Sequence, residues 1–264
     1  MTIPQAAILG LVQGLTEFLP VSSSGHLAIM QGLFGLDTHN LIAFDVLVHM
    51  GTLVPVIIVF WEELWKLIKK PIQKMTLLLA IGTLPAVIGV LALGDSLDII
   101  FSGGLLLAAA YVVTGVLLRF SDSLDTGRKR SEGISFFDAL FVGIAQMFAI
   151  VPGLSRSGTT ITASLFRGFD KSTAASFSFL LSIPAILGAF VFHFDDIFRG
   201  DVMAETVGFA AGLTGFFAAM TSGYIAIKIM LRLIKTKNLK VFSYYVFALA
   251  AFLVIDHFVL GIVF

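Results

Sequence analysis

The sequence predicts an all-α polytopic membrane protein, and three observations carry that prediction. Hydrophobic residues fill 58% of the 264 positions and charged residues only 13%, with a mean hydropathy of +0.99. Soluble domains carry about 25% charged residues, so this chain lacks the polar surface to face water on all sides. Six apolar runs each approach the roughly 20 residues that cross a hydrocarbon core as a helix. Two further apolar regions are broken at their middles by Pro, Ser and Gly. The expected architecture is six transmembrane helices plus two re-entrant helical hairpins, arranged as two inverted-topology repeats within one membrane domain.

In chain order, the first interrupted region covers 3–36 and breaks at Pro20-Val21-Ser22-Ser23-Ser24-Gly25. Its halves, about 15 residues or about 22 Å of helix each, are too short to span, so the region is expected to enter the membrane and return. Broken backbone at that depth is tolerated where protein or a watery cavity covers it. Spans follow at 41–61, 76–94 and 99–118. The second interrupted region, 134–168, breaks at Pro152-Gly153-Leu154-Ser155-Arg156-Ser157-Gly158. Spans at 173–193, 206–227 and 241–262 complete the chain. The repeats are bounded as 1–125 and 126–264.

A shift of 133 residues aligns the two interrupted regions: Gly10, Gln13, Ser22, Ser24 and Gly25 fall on Gly143, Gln146, Ser155, Ser157 and Gly158. Each region precedes three spans. Three is odd, so the second repeat is expected upside down relative to the first. Inverted repeats with broken helices place binding sites at mid-membrane, where the repeats meet. The plainer alternative is that Gly and Ser recur because they let helices pack closely.

Loop charge sets the orientation. Lys66, Lys69, Lys70 and Lys74 lie in one connection, Arg119, Arg128, Lys129 and Arg130 in a second. Lys228, Arg232, Lys235, Lys237 and Lys240 lie in a third, and Arg167 and Lys171 flank the second hairpin. These fifteen of seventeen basic residues fall on one face, expected to be cytoplasmic. Asp37, Asp45, Asp95, Asp98, Asp195, Asp196, Asp201 and Glu205 collect on the other, with Arg199. Both termini are then expected outside. Met1-Thr2-Ile3-Pro4-Gln5 has neither a basic start nor a small-residue cleavage site, so no removable signal peptide is expected. Zero formal charge argues against a nucleic-acid partner. The absence of cysteine excludes disulfides and thiolate chemistry.

Chemistry concentrates at the two breaks. Glu17 is the one formally charged side chain between Met1 and Leu36. A carboxylate at membrane depth costs at least ~2.5 kcal/mol and marks function by default. Gln13 lies one helical turn before it and can share a cation or a water. Ser22, Ser23, Ser24 and His26 follow within nine residues, so a hydroxyl, an imidazole and a carboxylate supply the parts of an activated nucleophile. Against this, any single serine suits a helix cap. In the second break, Ser155, Arg156, Ser157 and Thr160 surround an expected helix N-terminus. Such termini bind phosphate, and the arginine fork matches its oxygens. The plainer role for Arg156 is an ion pair with Glu17, and the two roles are compatible. His39, His193 and His257 read as interface residues, and His49 as a packed histidine within a span. Trp61 and Trp65, with Lys66, read as interfacial anchors.

Gln13–Leu27 and Pro152–Thr160 resemble the two signature motifs of the undecaprenyl-diphosphatase, or bacitracin-resistance, family. Phe44-Asp45-Val46, His49-Met50-Gly51-Thr52 and Phe177-Ser178-Phe179-Leu180-Leu181 fit the same pattern, and the likeness runs from about Ile8 to the last span. It implies hydrolysis of undecaprenyl diphosphate to the monophosphate in the bacterial inner membrane, assisted by Mg²⁺ or Ca²⁺. It also favours a pocket open to the outer face. Gln13 stands where the pattern leads one to expect glutamate, which leaves Glu17 as the sole carboxylate of that motif. The expected assignment puts Arg156, Ser155, Ser157, Thr160 and Ser22 on the phosphates and a cation near Glu17, with phosphate oxygens as co-ligands and Gln13 able to join them. Ser23 is the expected nucleophile, with His26 as its base or acid. A water activated by His26 or Glu17 is the alternative route. A transporter or flippase of a polyprenyl phosphate is the rival function, because inverted repeats serve transporters too. An intramembrane serine protease would leave Arg156 without a role. Oligomeric state, a homodimer included, is left open.

Overall fold

A computed structural model describes residues 1–36, 41–100, 103–124, 127–194, 207–236 and 239–264, side chains at 94–100 and 236 excepted. Among these residues the chain forms eleven α-helices. They are α1 (Ile3–Phe18), α2 (Ser23–Leu33), α3 (Ile42–Val59), α4 (Trp61–Lys69), α5 (Lys74–Ile100), α6 (Gly104–Ser123), α7 (Phe136–Phe148), α8 (Arg156–Phe166), α9 (Lys171–Phe192), α10 (Phe209–Thr236) and α11 (Lys240–Ile255). Six of them, α3, α5, α6, α9, α10 and α11, are long and apolar enough to cross a membrane. The architecture is therefore all-helical and multi-pass. Exposed apolar side chains such as Leu91, Val191 and Phe258, each about 70% accessible, stand on its outer surface.

Both interrupted regions are pairs of short helices, α1–α2 and α7–α8, parted at the Pro/Ser/Gly clusters. The spans keep their expected order but several ends move. α5 runs to Ile100 and α6 starts at Gly104, so the run expected at 99–118 begins five residues late. α10 continues past 227 to Thr236, carrying Lys228, Arg232 and Lys235 on helix. Hydropathy ends a span at its first charge, whereas the helical hydrogen-bond ladder continues beneath charged ends that reach toward water. Lys228 does so with its ammonium 4.8 Å from the Tyr224 ring. The connection expected at 62–75 contains α4, none of whose residues is buried. Trp61 and Trp65 stack there at 5.6 Å, with the Lys69 ammonium 5.3 Å from the Trp65 ring. His39, Asp37, Asp195, Asp196, Arg199, Asp201, Glu205 and Lys237 lie outside the described residues, and of Asp95 and Asp98 only the backbone is described.

Packing partners cross between the two halves. α1 lies along α10, α7 lies along α5, and α6 pairs with α11. A Cβ on Gly10 would fall 2.2 Å from the Gly215 carbonyl oxygen, and one on Gly143 would fall 2.5 Å from that of Gly82. Gly10 and Gly143 differ by 133, as do Gly82 and Gly215. The next turn repeats the relation, with Gly14 against Ser222 and Gly89 against Met147. Lipid tails are as apolar as leucine, so helices associate in a bilayer through close van der Waals contact, and small residues permit it. These glycines let the broken helices pack closely onto the long spans.

One buried ionic knot secures the start of α7, the helix that leads to the second break. The Asp138 side chain has no accessible surface and meets Lys129 Nζ at 3.0 Å and Arg167 Nε at 2.7 Å. It also accepts from the Ser135 backbone N–H at 3.0 Å, completing the capping box of α7. Burial pushes its pKa up, but the Ser135, Lys129 and Arg167 hydrogen bonds outweigh that and hold it at about 2. A depressed carboxylate pKa gives stability that is present above the unfolded value, about 3.9, and lost as pH falls toward 2. Asp138→Asn is expected to lower the thermal midpoint at pH 7 and to flatten its acid dependence between pH 4 and 2. Melting curves across that range check both effects.

Candidate active site

The first break arises because Pro20 cannot extend α1 and holds Leu19 in an extended conformation. The chain then turns through Ser22, whose φ of 68° is the one positive value among the described non-glycine residues. Serine is strained there, and such strain gathers at functional sites. Ser22 Oγ accepts from Gly25 N–H at 3.4 Å and caps α2. At the second break Ser155 Oγ accepts from Gly158 N–H at 3.0 Å and caps α8. The aligned serines of the two halves thus do the same structural work. Capping leaves the residue after each cap, Ser23 and Arg156, at the first helical position.

The two breaks meet through their side chains. Arg156 Nη2 donates to Glu17 Oε1 in a short ion pair. Glu17 Oε2 accepts from Ser23 Oγ at 2.6 Å and from Gln13 Nε2 at 2.9 Å, and lies 3.6 Å from His49 Nε2. Arg156 Nη1 reaches the Ser178 carbonyl at 3.4 Å. A cavity of about 400 Å³ opens over this cluster. Its walls include Glu17, Ser22, Ser23 and Ser24 from the first break and Ser155, Arg156 and Ser157 from the second. α3 adds Asp45 and His49, and α9 adds Ala185, Ala189 and His193 at its end.

Two expected contacts stand elsewhere. His26 is not on the cavity wall: its Nδ1 sits 2.6 Å from the Ser22 carbonyl oxygen and its Nε2 2.8 Å from the Tyr245 hydroxyl. Its ring stacks on Tyr245 at 5.6 Å, and the Tyr111 hydroxyl lies 3.1 Å from Nδ1. With both nitrogens engaged, His26 braces the strained Ser22 turn from behind. Thr160 is fully buried, donates to the Arg156 carbonyl at 2.8 Å, and lies 2.6 Å from Ser178 Oγ. It supports the segment whose carbonyl receives Arg156.

Asp45, His49 and His193 are wall residues that sequence reasoning set elsewhere, Asp45 on the outer acidic face, His49 in packing and His193 at a membrane interface. Asp45 accepts from Gln31 Nε2 at 2.8 Å, and His49 Nδ1 lies 2.6 Å from the Asp45 carbonyl oxygen. Their four-residue spacing at the start of an apolar span was the available signal, because it puts both on one helical face.

The residues near Glu17 do not fit a cation held by the protein alone. Both carboxylate oxygens are already met by Arg156, Ser23 and Gln13. No three His, Asp or Glu converge among the described residues. Gln13 Oε1, buried and without a hydrogen-bond partner among the described residues, and His49 Nε2, 3.6 Å from Glu17, are the nearby ligand atoms, fewer than the six or more oxygens such ions take.

Residues 6–252 match the family model described as bacitracin resistance protein BacA. An undecaprenyl-diphosphatase of Carboxydothermus hydrogenoformans is 47% identical over 245 residues, covering 93% of this chain and 94% of that protein. Undecaprenyl-diphosphatase 4 of Bacillus thuringiensis (strain Al Hakam) is 44% identical over 250 residues, covering 95% of each. The undecaprenyl-diphosphatase of Halothermothrix orenii is 40% identical over 258 residues, covering 97% of this chain and 98% of that protein.

Proposed function

The chain belongs to the bacitracin resistance protein BacA family, and from that membership and the cavity geometry we propose that it hydrolyses undecaprenyl diphosphate to undecaprenyl phosphate and inorganic phosphate. The observation that carries the chemistry is Ser23 Oγ donating to Glu17 Oε2 at 2.6 Å beside the Arg156 guanidinium. Phosphoryl transfer depends on positioning and charge stabilisation. Arg156 and the first N–H groups of α8 supply these at the second break, and Ser155 and Ser157 complete that rim. Ser23 supplies the nucleophile at the first.

Ser23 Oγ attacks the terminal phosphorus as its proton passes to Glu17 Oε2. The bond from that phosphorus to the bridging oxygen breaks, and the lipid monophosphate leaves with the electron pair. Water then cleaves the phosphoserine, releasing inorganic phosphate and restoring Ser23. His49, facing Glu17 from α3, is placed to relay the proton. A divalent cation, Mg²⁺ or Ca²⁺, would arrive on the diphosphate, whose oxygens supply the ligands the protein lacks.

The reading extends to topology. The crossed pairing of α1 with α10 and α7 with α5, at matched glycines 133 apart, supports two repeats of inverted topology with re-entrant hairpins. The cavity is lined by the start of α3 and the end of α9, the ends remote from the basic connections. With the basic face cytoplasmic, both termini lie outside and the cavity opens toward the outer leaflet. A second, largely apolar groove of about 360 Å³ shares Arg156, Ala149 and Ala189 with the cavity and runs between α5 and α9 past Val87, Leu91 and Phe192. It suits the first isoprene units.

Phosphate release from a C15 prenyl diphosphate in detergent, where no transport is possible, tests the reaction against a carrier function. Ser23→Ala is expected to lower turnover by about 10³-fold or more, and rapid quench of the wild type with terminally ³²P-labelled substrate to trap label on Ser23. Near-normal turnover in Ser23→Ala would leave direct water attack as the route.

A further inference from the structure

Gln146 is 2% exposed and lies on α7, on the wall of the apolar groove. Neither its Nε2 nor its Oε1 has a hydrogen-bond partner among the described residues. The other polar side chains of that wall are engaged. Thr83 donates to the Leu79 carbonyl at 2.7 Å, Arg156 is held by Glu17 and Ser178, and His193 at the mouth has partners of its own. Burying an amide without a partner costs about 1–3 kcal/mol, and in a bilayer no bulk water relieves it. Such a group calls for an explanation.

The repeat shows why the partner is missing. Gln146 aligns with Gln13, whose Nε2 is satisfied by Glu17 four residues later. Four residues after Gln146 stands Ile150, which offers nothing. The second half therefore keeps the amide and lacks the acceptor, at the place where the polar cavity passes into the groove. Arg156 and Ile150 line both spaces.

We propose that Gln146 is a substrate-binding residue whose amide donates to the lipid-side phosphate of the diphosphate, where the head group gives way to the prenyl tail. Arg156 and the α8 N-terminus then hold the terminal phosphate, and Gln146 holds the leaving group. The inference rests on the proposed diphosphatase reading and deepens it. It also predicts that the product, a prenyl monophosphate, keeps its contact with Gln146, whereas inorganic phosphate never makes one.

The test compares wild type with Gln146→Met, which keeps the volume and removes the amide, and Gln146→Glu, which keeps the shape and adds a negative charge. Binding of a C15 prenyl monophosphate and of inorganic phosphate is measured by titration calorimetry in detergent, which needs no turnover, together with thermal midpoints. Gln146→Met is expected to weaken monophosphate binding about tenfold or more, and Gln146→Glu further. Inorganic phosphate should bind all three alike. The midpoint of Gln146→Met should be unchanged or higher, since an unsatisfied amide is gone. Wild-type monophosphate affinity in a folded Gln146→Met protein overturns the proposal, as does an equal loss of inorganic phosphate binding. Should Gln146→Met not fold, wild-type affinity in Gln146→Glu overturns it equally. Absence of phosphate release from wild-type protein that binds the monophosphate through Gln146 would instead count against the diphosphatase reading.

Discussion

Arg156→Ala is expected to lower kcat/KM for a prenyl diphosphate by roughly 10³–10⁵-fold, the range that a single charge-stabilising arginine commands in phosphoryl transfer. Among the described residues the guanidinium is the one arginine or lysine group on the cavity wall, so its loss leaves the terminal phosphate without a fixed positive partner. The same substitution strands Glu17 as a buried carboxylate without its ion pair, at a cost of about 3–5 kcal/mol. Activity lost through unfolding must therefore be separated from activity lost through chemistry. Arg156→Lys does this. Lysine keeps the charge beside Glu17 but lacks the planar fork that spans two phosphate oxygens. Its thermal midpoint should stay near wild type while kcat/KM still falls by about 10²-fold or more. Steady-state phosphate release and melting curves on the same preparations decide the matter. A folded Arg156→Ala protein retaining a tenth of wild-type activity would remove Arg156 from the mechanism.

The fold was legible wherever a chemical property changes sharply along the chain. Two breaks stood out because Pro20 and Pro152 interrupt apolar runs, and the six long helices because their runs fit a bilayer. Helix ends were less legible. α6 starts at Gly104 and α10 carries on through Lys228, Arg232 and Lys235, where hydropathy alone would have placed boundaries elsewhere. α4 was hidden because its charges, Glu62, Glu63, Lys66 and Lys69, read as a loop, although they alternate with Trp61, Trp65 and Ile68 at helical spacing. The crossed pairing of α1 with α10 and α7 with α5 needed coordinates, because sequence self-similarity does not say which half each element touches.

At the site, the sequence reveals the nearness of residues set apart by electrostatic cost: Glu17 and Arg156 are costly to bury unpaired, and they meet across 139 positions of sequence. It does not reveal contacts that depend on direction. His26 and His49 are both histidines near carboxylates in sequence or space. Yet the helical turn after Ser22 aims His26 at Tyr245, from the far end of the chain, and α3 aims His49 at Glu17. Composition gives no hint of either partner. Ser22 and Ser23 differ in the same way. One places its hydroxyl on a backbone N–H, and its neighbour, turned by about 100° along the helix, reaches the carboxylate.

Glu17→Gln should separate catalysis from binding more sharply than any other single change. The carboxylate receives Arg156 on one oxygen and Ser23 and Gln13 on the other, with His49 nearby. An amide of the same shape can accept from only one side. Its NH₂ opposes either the guanidinium or the Ser23 hydroxyl, and in neither orientation can it take the serine proton. Loss of a general base lowers turnover by roughly 10²–10⁴-fold. Binding should move the other way. Glu17 occupies Arg156 and repels any phosphate that approaches it, so neutralising Glu17 frees the guanidinium for the ligand. Glu17→Gln is therefore expected to bind a prenyl diphosphate, whose terminal phosphate meets Arg156, several-fold more tightly than wild type while turning over far more slowly, so that kcat and KM fall together. Glu17→Ala adds a cavity and blurs the comparison, whereas Glu17→Asp keeps the charge and should retain weak binding with reduced kcat. On the Glu17→Gln background, a further Arg156→Ala change should abolish the gain in affinity, because that gain is Arg156 released from its partner. Slow turnover with weakened diphosphate binding would mean that the ion pair holds the cavity open rather than competing with substrate, and the assignment of Glu17 as base would then rest on Ser23 alone.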